Sequence, residues 1–294
     1  LWLAPRGQEP RVVYRHPDPA SVDALTHDGD LLVISHSEHG DPRYPALRVL
    51  RTADDTVVAE KWDGEGRGLH ASEFAPLPGD TRLLVGHERR GREELLIWDV
   101  AADTETEIVL DLPGDVSAGW YPDGTALLVG HDHAARTELY RYDLASGALE
   151  KLDTPTGVVR GATPRPDGTV ELAWSNAEKP PVIRRADGPV VLSVSEEEPP
   201  AAYPVEDRWV PGPGGDVHAL LVRPAGPAPY ATAFLVHGGP EAADEPAADE
   251  QPKKAPAKRA PAKKAAVEKG AEKAPAKKTA AKAAAKKTAT ADKP

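Results

Sequence analysis

The chain of 294 residues contains no cysteine. That excludes a disulfide framework, a thiol nucleophile and a zinc–thiolate centre. Methionine is also absent and the chain begins "LWLAPRG", so its N-terminus is expected to be processed or internal to a longer reading frame, and a leader upstream is compatible with that. Aromatics make up 5%, with only 2 Phe. No apolar run approaches the roughly 20 residues that a membrane-spanning helix needs. The apolar clusters are short, such as "LLVIS" and "LLVGH". No membrane contact is expected. The lack of cysteine suits a reducing cytoplasm, the expected location.

Charge of one sign is scarce in each part of the chain. The formal net charge is −11. Of the 36 Lys and Arg, 14 lie in residues 251–294, and of the 47 Asp and Glu only 3 do, a local net of +11. The first 250 residues hold the other 22 basic and 44 acidic residues, a net of −22. Lysine occurs there only as Lys61, Lys151 and Lys179. Such a break marks regions with different physical roles.

What is present is a repeat. "LLVGHERRGREELLIWDV" (Leu83–Val100) aligns without a gap to "LLVGHDHAARTELYRYDL" (Leu127–Leu144), 44 residues later. Fainter copies begin at Thr26 and Arg165. The turn glycines Gly29, Gly79, Gly124 and Gly168 stand at intervals of 50, 45 and 44. Each unit has a glycine turn, a short apolar run, a polar loop and an alternating run. In "ELYRYDL" the alternation lets Tyr140, Tyr142 and Leu144 share one face. A period in the forties with several strand-like runs per repeat is that of propeller blades. One blade cannot bury both its faces, and stacking blades around an axis solves this. "LWLAPRGQEPRVVY" (Leu1–Tyr14) resembles "LYRYDLASGALEKL" (Leu139–Leu152), the second half of a blade. The expected fold is all-β. Over residues 1–200 it is an incomplete β-propeller with four to five blades visible: half a blade, then blades near 22–61, 72–112, 116–152 and 159–192.

After the repeats, "WVPGPGGDVHALLVRPAG" reads as a hairpin turning at Gly-Gly. "YATAFLVHGGP" reads as an apolar strand running into a second Gly-Gly turn. A propeller followed by a strand ending "HGGP" resembles the prolyl oligopeptidase family of serine peptidases, in particular its acylaminoacyl-peptidase-like bacterial members, over roughly residues 1–240. The resemblance implies a propeller that caps an α/β-hydrolase domain, with residues 201–240 as the first strands of that domain. It implies hydrolysis of short peptides or acylaminoacyl peptides, folded proteins being kept out by the propeller. It also implies an oxyanion-hole turn at Gly238 and Gly239, where glycine lets the backbone approach the substrate. His237 does not match the family's catalytic base.

That chemistry needs an activated Ser, a His base and an acidic partner, with the Ser on a GxSxG elbow. Residues 241–294 contain no Ser and no His. The chain as it stands is expected to be inactive, and no catalytic residue is assigned. "DVSAG" around Ser117 has Asp115 in place of the first glycine and opens a blade, so it reads as structural. His87 and His131 occupy equivalent blade positions, which favours a structural role through a side-chain to backbone hydrogen bond. The pairs His36/His39 and His131/His133 have chelating spacings. No carboxylate stands at a clear ligand spacing from them, so no metal is expected, and no cofactor. Asp123, Asp132 and Asp167 read as turn and loop residues rather than calcium ligands. The run Glu88, Arg89, Arg90, Gly91, Arg92 reads as a solvated loop, with capture of an acidic group as its functional alternative.

From Glu241 the composition is Ala, Pro, Lys, Glu and Asp, with Val267 the one larger apolar residue. Such a segment cannot bury enough surface to offset its conformational entropy, so residues 241–294 are expected to be disordered. An acidic stretch precedes a basic one that resembles the tails of histone-H1-like and HU-like nucleoid proteins. Its candidate phosphate contacts are Lys253, Lys254, Lys258, Arg259, Lys263, Lys264, Lys277, Lys278, Lys286 and Lys287. They would neutralise nucleic acid without reading its sequence, since no aromatic is present to stack on bases. A solubilising or linker tail, or one left by a frameshift or gene fusion, is the other reading.

Overall fold

The computed structural model describes residues 1–4, 7, 9–194 and 203–235. All regular structure among them is strand. β1 (Trp2–Leu3) and β2 (Arg11–Val12) pair as a ribbon, Trp2 opposite Val12. Four antiparallel sheets of four strands follow, each in chain order. Blade 1 is β3 (Ala20–Leu25), β4 (Leu31–His36), β5 (Ala46–Arg51) and β6 (Val57–Lys61). Blade 2 is β7 (Leu69–Phe74), β8 (Arg82–His87), β9 (Glu94–Asp99) and β10 (Thr104–Ile108). Blade 3 is β11 (Asp115–Trp120), β12 (Ala126–His133), β13 (Arg136–Asp143) and β14 (Leu149–Lys151). Blade 4 is β15 (Val158–Pro164), β16 (Val170–Ser175), β17 (Val182–Arg185) and β18 (Val190–Ser193). A separate hairpin joins β19 (Val205–Gly212) to β20 (Gly215–Val222).

The repeat glycines close the first hairpin of each blade. Gly29, Gly79, Gly124 and Gly168 have φ of 80°, 74°, 66° and 83°, a region that glycine enters without steric cost. In three of these turns an Asp side chain accepts the backbone N–H two residues on: Asp28 from Asp30, Asp123 from Thr125 and Asp167 from Thr169. Asp123 and Asp167 are therefore turn residues, as expected. Asp132 is not in a turn: it lies within β12 and accepts from Thr137 Oγ1 at 2.6 Å.

The second strands explain why the repeat is so apolar. Side chains alternate along a strand, and blades 2 and 3 have a blade on either side. Val33, Leu47 and Val49 of blade 1 share a core with Leu83, Val85 and Trp98 of blade 2. Leu84 and Ile97, on the other face of blade 2, meet Leu127 and Val129 of blade 3. Leu128 then meets Leu172 and Trp174 of blade 4. Leu32 and Ile34 pack with Leu1, Val13 and Tyr14, which places the ribbon on the free side of blade 1. Tyr140, Tyr142 and Leu144 pack together against the core between blades 2 and 3. The first strands of neighbouring blades lie side by side, β3 with β7 and β7 with β11. Turns latch the stack: Gly79 N–H donates to Asp28 at 2.8 Å, and Arg82 donates to the Gly124 carbonyl at 2.9 Å.

Two expectations after the repeats change. The hairpin loop is Pro213-Gly214, because Gly212 pairs with Gly215 and Gly215 already belongs to β20. Residues 230–235 form no strand, and Phe234 and Leu235 are 89% and 88% exposed. An extended segment is held by ladder hydrogen bonds, and no described strand pairs with this one.

Candidate functional site

The implied oxyanion-hole glycines Gly238 and Gly239 lie outside the described residues, as do all ten basic tail residues named above. Ser117 sits inside β11, opposite Gly130 in the ladder, and not on a strand-to-helix elbow. The loop arginines are already paired. Arg89 binds Asp63 at 2.6 Å and Glu105 at 2.7 Å, Arg90 binds Glu107 at 3.0 Å, and Arg92 binds Glu94 and the Leu112 carbonyl. Capture of an acidic ligand there would have to break these pairs. A cleft of about 340 Å³ between the rims of blades 1 and 2 is lined by residues including Asp28, Asp30, Arg51 and Thr81, with no imidazole.

The structure brings chemistry together at one place in the repeat, the end of the second strand. His36, His87, His131 and Ser175 end or nearly end β4, β8, β12 and β16, and all four are buried. His131 Nε2 bonds the Pro113 carbonyl, the side-chain to backbone bond that sequence equivalence suggested. His87 Nδ1 accepts weakly from the Arg89 N–H at 3.4 Å, and its Nε2 has no partner. His36 has no hydrogen-bond partner on either nitrogen. Burial, reinforced by the Arg48 charge, holds His36 below the usual imidazole pKa; burial and then Arg89 do the same for His87.

Blade 1 surrounds its histidine with charge. Glu60 comes from β6 and Arg48 from β5, directly opposite each other in the ladder. Arg48 Nε donates to Glu60 Oε2 at 2.8 Å, and its two terminal nitrogens donate to Glu38 at 2.7 and 3.0 Å. Those bonds hold Glu38 down at about 2, and they lower Glu60 as well. Tyr14 also donates to Glu38; burial first, then this bond, pushes its hydroxyl up to about 12. With Oε2 held by Arg48, Glu60 Oε1 faces His39 Nε2 at 3.3 Å and His36 Nε2 at 3.8 Å. The His39 ring stacks on Trp62, with centroids 4.4 Å apart and planes 12° apart. The spacing of His36 and His39 was visible in the sequence. Glu60 was not, because it arrives from another strand.

No family model matches the sequence, and no curated protein does. Solved structures do match. A prolyl endopeptidase is similar at 20% identity and a TM-score of 0.53, over 76% of this chain and 35% of that one. A puromycin-hydrolysing peptidase of Mycobacterium tuberculosis is similar at 17% identity and a TM-score of 0.55, over 73% of this chain and 35% of that one. The fold is that of a β-propeller. TolB of Acinetobacter baumannii is also matched, at 20% identity and a TM-score of 0.45, over 74% of this chain and 55% of that one. The chain thus spans between 35% and 55% of the lengths of these proteins. At such identities the likeness is one of fold, and it does not carry activity.

Proposed function

We propose that this chain is the propeller portion of a prolyl-oligopeptidase-like serine peptidase, together with the first strands of its hydrolase domain. In that reading the propeller admits short peptides or acylaminoacyl peptides to a hydrolase centre and excludes folded proteins. The observation that carries it is the order of parts: propeller blades, then the hairpin β19–β20, then "FLVHGGP". The propeller likeness to two peptidases supports it. Gly238 and Gly239 would supply the oxyanion-hole turn of the assembled enzyme, and the location is the cytoplasm. In this reading the 294 residues are inactive by themselves, since residues 241–294, where the family's nucleophile and base would follow the turn, lack both Ser and His. Two measurements test the reading. The purified chain is expected to stay unlabelled by a fluorophosphonate serine probe, and labelling would refute its inactivity. The coding DNA beyond Pro240 is expected to contain, in another frame, a strand–GxSxG–helix sequence; if all frames lack one, the peptidase assignment fails.

The charge split favours a second reading. With +11 in residues 251–294 against −22 before them, the basic residues from Lys253 to Lys287 can tether the propeller to nucleic acid or to an acidic partner by phosphate or carboxylate neutralisation. A DNA mobility shift at low ionic strength that vanishes with added salt is the expected result, and no shift at low salt would end the idea.

A further inference from the structure

We propose that His36, His39 and Glu60 are the protein ligands of a divalent transition-metal ion of the zinc type. The three donor atoms lie within 4.8 Å of one another, with Glu60 Oε1 3.3 Å from His39 Nε2 and 3.8 Å from His36 Nε2. A tetrahedral ion with bonds near 2.0–2.2 Å sets its donors roughly 3.4 Å apart. A small closing of the three side chains reaches that geometry. Two imidazoles and one carboxylate suit zinc and its neighbours, whereas calcium and magnesium select oxygen ligands alone.

Three features mark a built site. The His36 side chain is fully buried, and both its nitrogens lack a hydrogen-bond partner. A buried polar atom left that way is costly, and an ion on Nε2 resolves one of the two. The carboxylate is held from behind: Arg48 occupies Oε2 and leaves Oε1 toward the imidazoles. This is the outer-shell support that metal ligands need. The Arg48 charge opposes a cation, and Glu38 balances it through two hydrogen bonds. Finally, the His39 and Glu60 side chains are 36% and 35% exposed, so the fourth coordination position opens to solvent.

Comparison between blades isolates the feature. The ladder aligns Glu60 with Glu107 and Lys151, which stand opposite Arg48, Leu96 and Tyr140. His39 aligns with Arg90, because the same turn bond closes both loops: Gly40 N–H to Ser37 and Gly91 N–H to Glu88. In blade 2 the Arg90 guanidinium itself meets Glu107, at 3.0 Å. Blade 2 thus fills with a guanidinium the place where blade 1 sets a second imidazole. Blade 3 has Lys151 in place of the carboxylate. Among the described residues only blade 1 assembles three ligands.

The test is equilibrium dialysis of the full chain against Zn²⁺ with metal analysis, repeated with Co²⁺ and visible absorption. One equivalent is expected to bind. His39→Ala and Glu60→Gln, at partly exposed positions, are expected to weaken binding at least ~10-fold and to abolish the Co²⁺ ligand-field bands. His133→Ala, in blade 3, is expected to change neither. Circular dichroism confirms that each variant folds, and His39→Gln serves if His39→Ala does not. Absence of stoichiometric binding, binding undiminished by His39→Ala, or binding lost with His133→Ala would each overturn the proposal.

Discussion

His87 shows what a single buried group does to stability. It has no exposure, and only the distant Arg89 N–H contacts its ring as a hydrogen-bond donor. Burial first and the Arg89 charge second depress its pKa below 6.5; Arg90 acts in the same direction, and Glu107 and Glu94 oppose it. The folded state therefore takes up a proton less readily than the unfolded chain. The stability carried by the neutral ring is complete above the unfolded value, about 6.5, and is lost as pH falls below it toward the depressed folded value. The urea midpoint is expected to drop between about pH 7.5 and 5.5, and His87→Gln is expected to flatten that slope. An unchanged slope would remove His87 as its source. The carboxylates act in a separate window. Arg48 holds Glu38 and Arg89 holds Glu105 at about 2, so their contribution is lost only as pH falls below about 4.5. The equivalence of His87 and His131 was legible because their repeats align without a gap. The partnership of His39 with Glu60, 21 residues apart, was not, because strand order and register create it.

At the scale of elements, the turn between β12 and β13 departs from its own chemistry. His133 pairs with Arg136, leaving Ala134 and Ala135 as a two-residue loop. Both have positive φ, 49° and 57°. A hairpin with two left-handed residues selects Asn-Gly, since a Cβ there costs roughly 1–2 kcal/mol per residue. The double change Ala134→Asn with Ala135→Gly is expected to raise the unfolding free energy by ~1–2 kcal/mol in urea titration. No gain would mean that the turn is not strained. The elements themselves were legible. Period-two runs and Asp-Gly or Pro-Gly turns placed four blades whose strands run from Ala20 to Ser193, close to the expected bounds. Residues 230–235 misled because an apolar run specifies a strand only where a neighbour completes its ladder.

At the scale of the whole molecule, the charge division makes its own prediction. Residues 251–294 carry no aromatic and one larger apolar residue, Val267. Such a segment contributes little to a core. A chain cut after Glu250 is expected to unfold at the same urea concentration as the full chain and to lose any salt-dependent retention on DNA. A lowered midpoint in the cut chain would show that the tail supports the blades. The blades, by contrast, depend on one another. Each of the four cores between or beside blades draws residues from two neighbouring units, so stability accumulates by stacking.

The sequence by itself determined the blade repeat and its turns. These rest on local chemistry: glycine at positive φ and side-chain alternation. The tertiary structure decided which charges meet. Ladder register set Arg48 against Glu60 and turned one oxygen of Glu60 toward His36 and His39. Register depends on contacts between strands distant in sequence, and no local pattern encodes it.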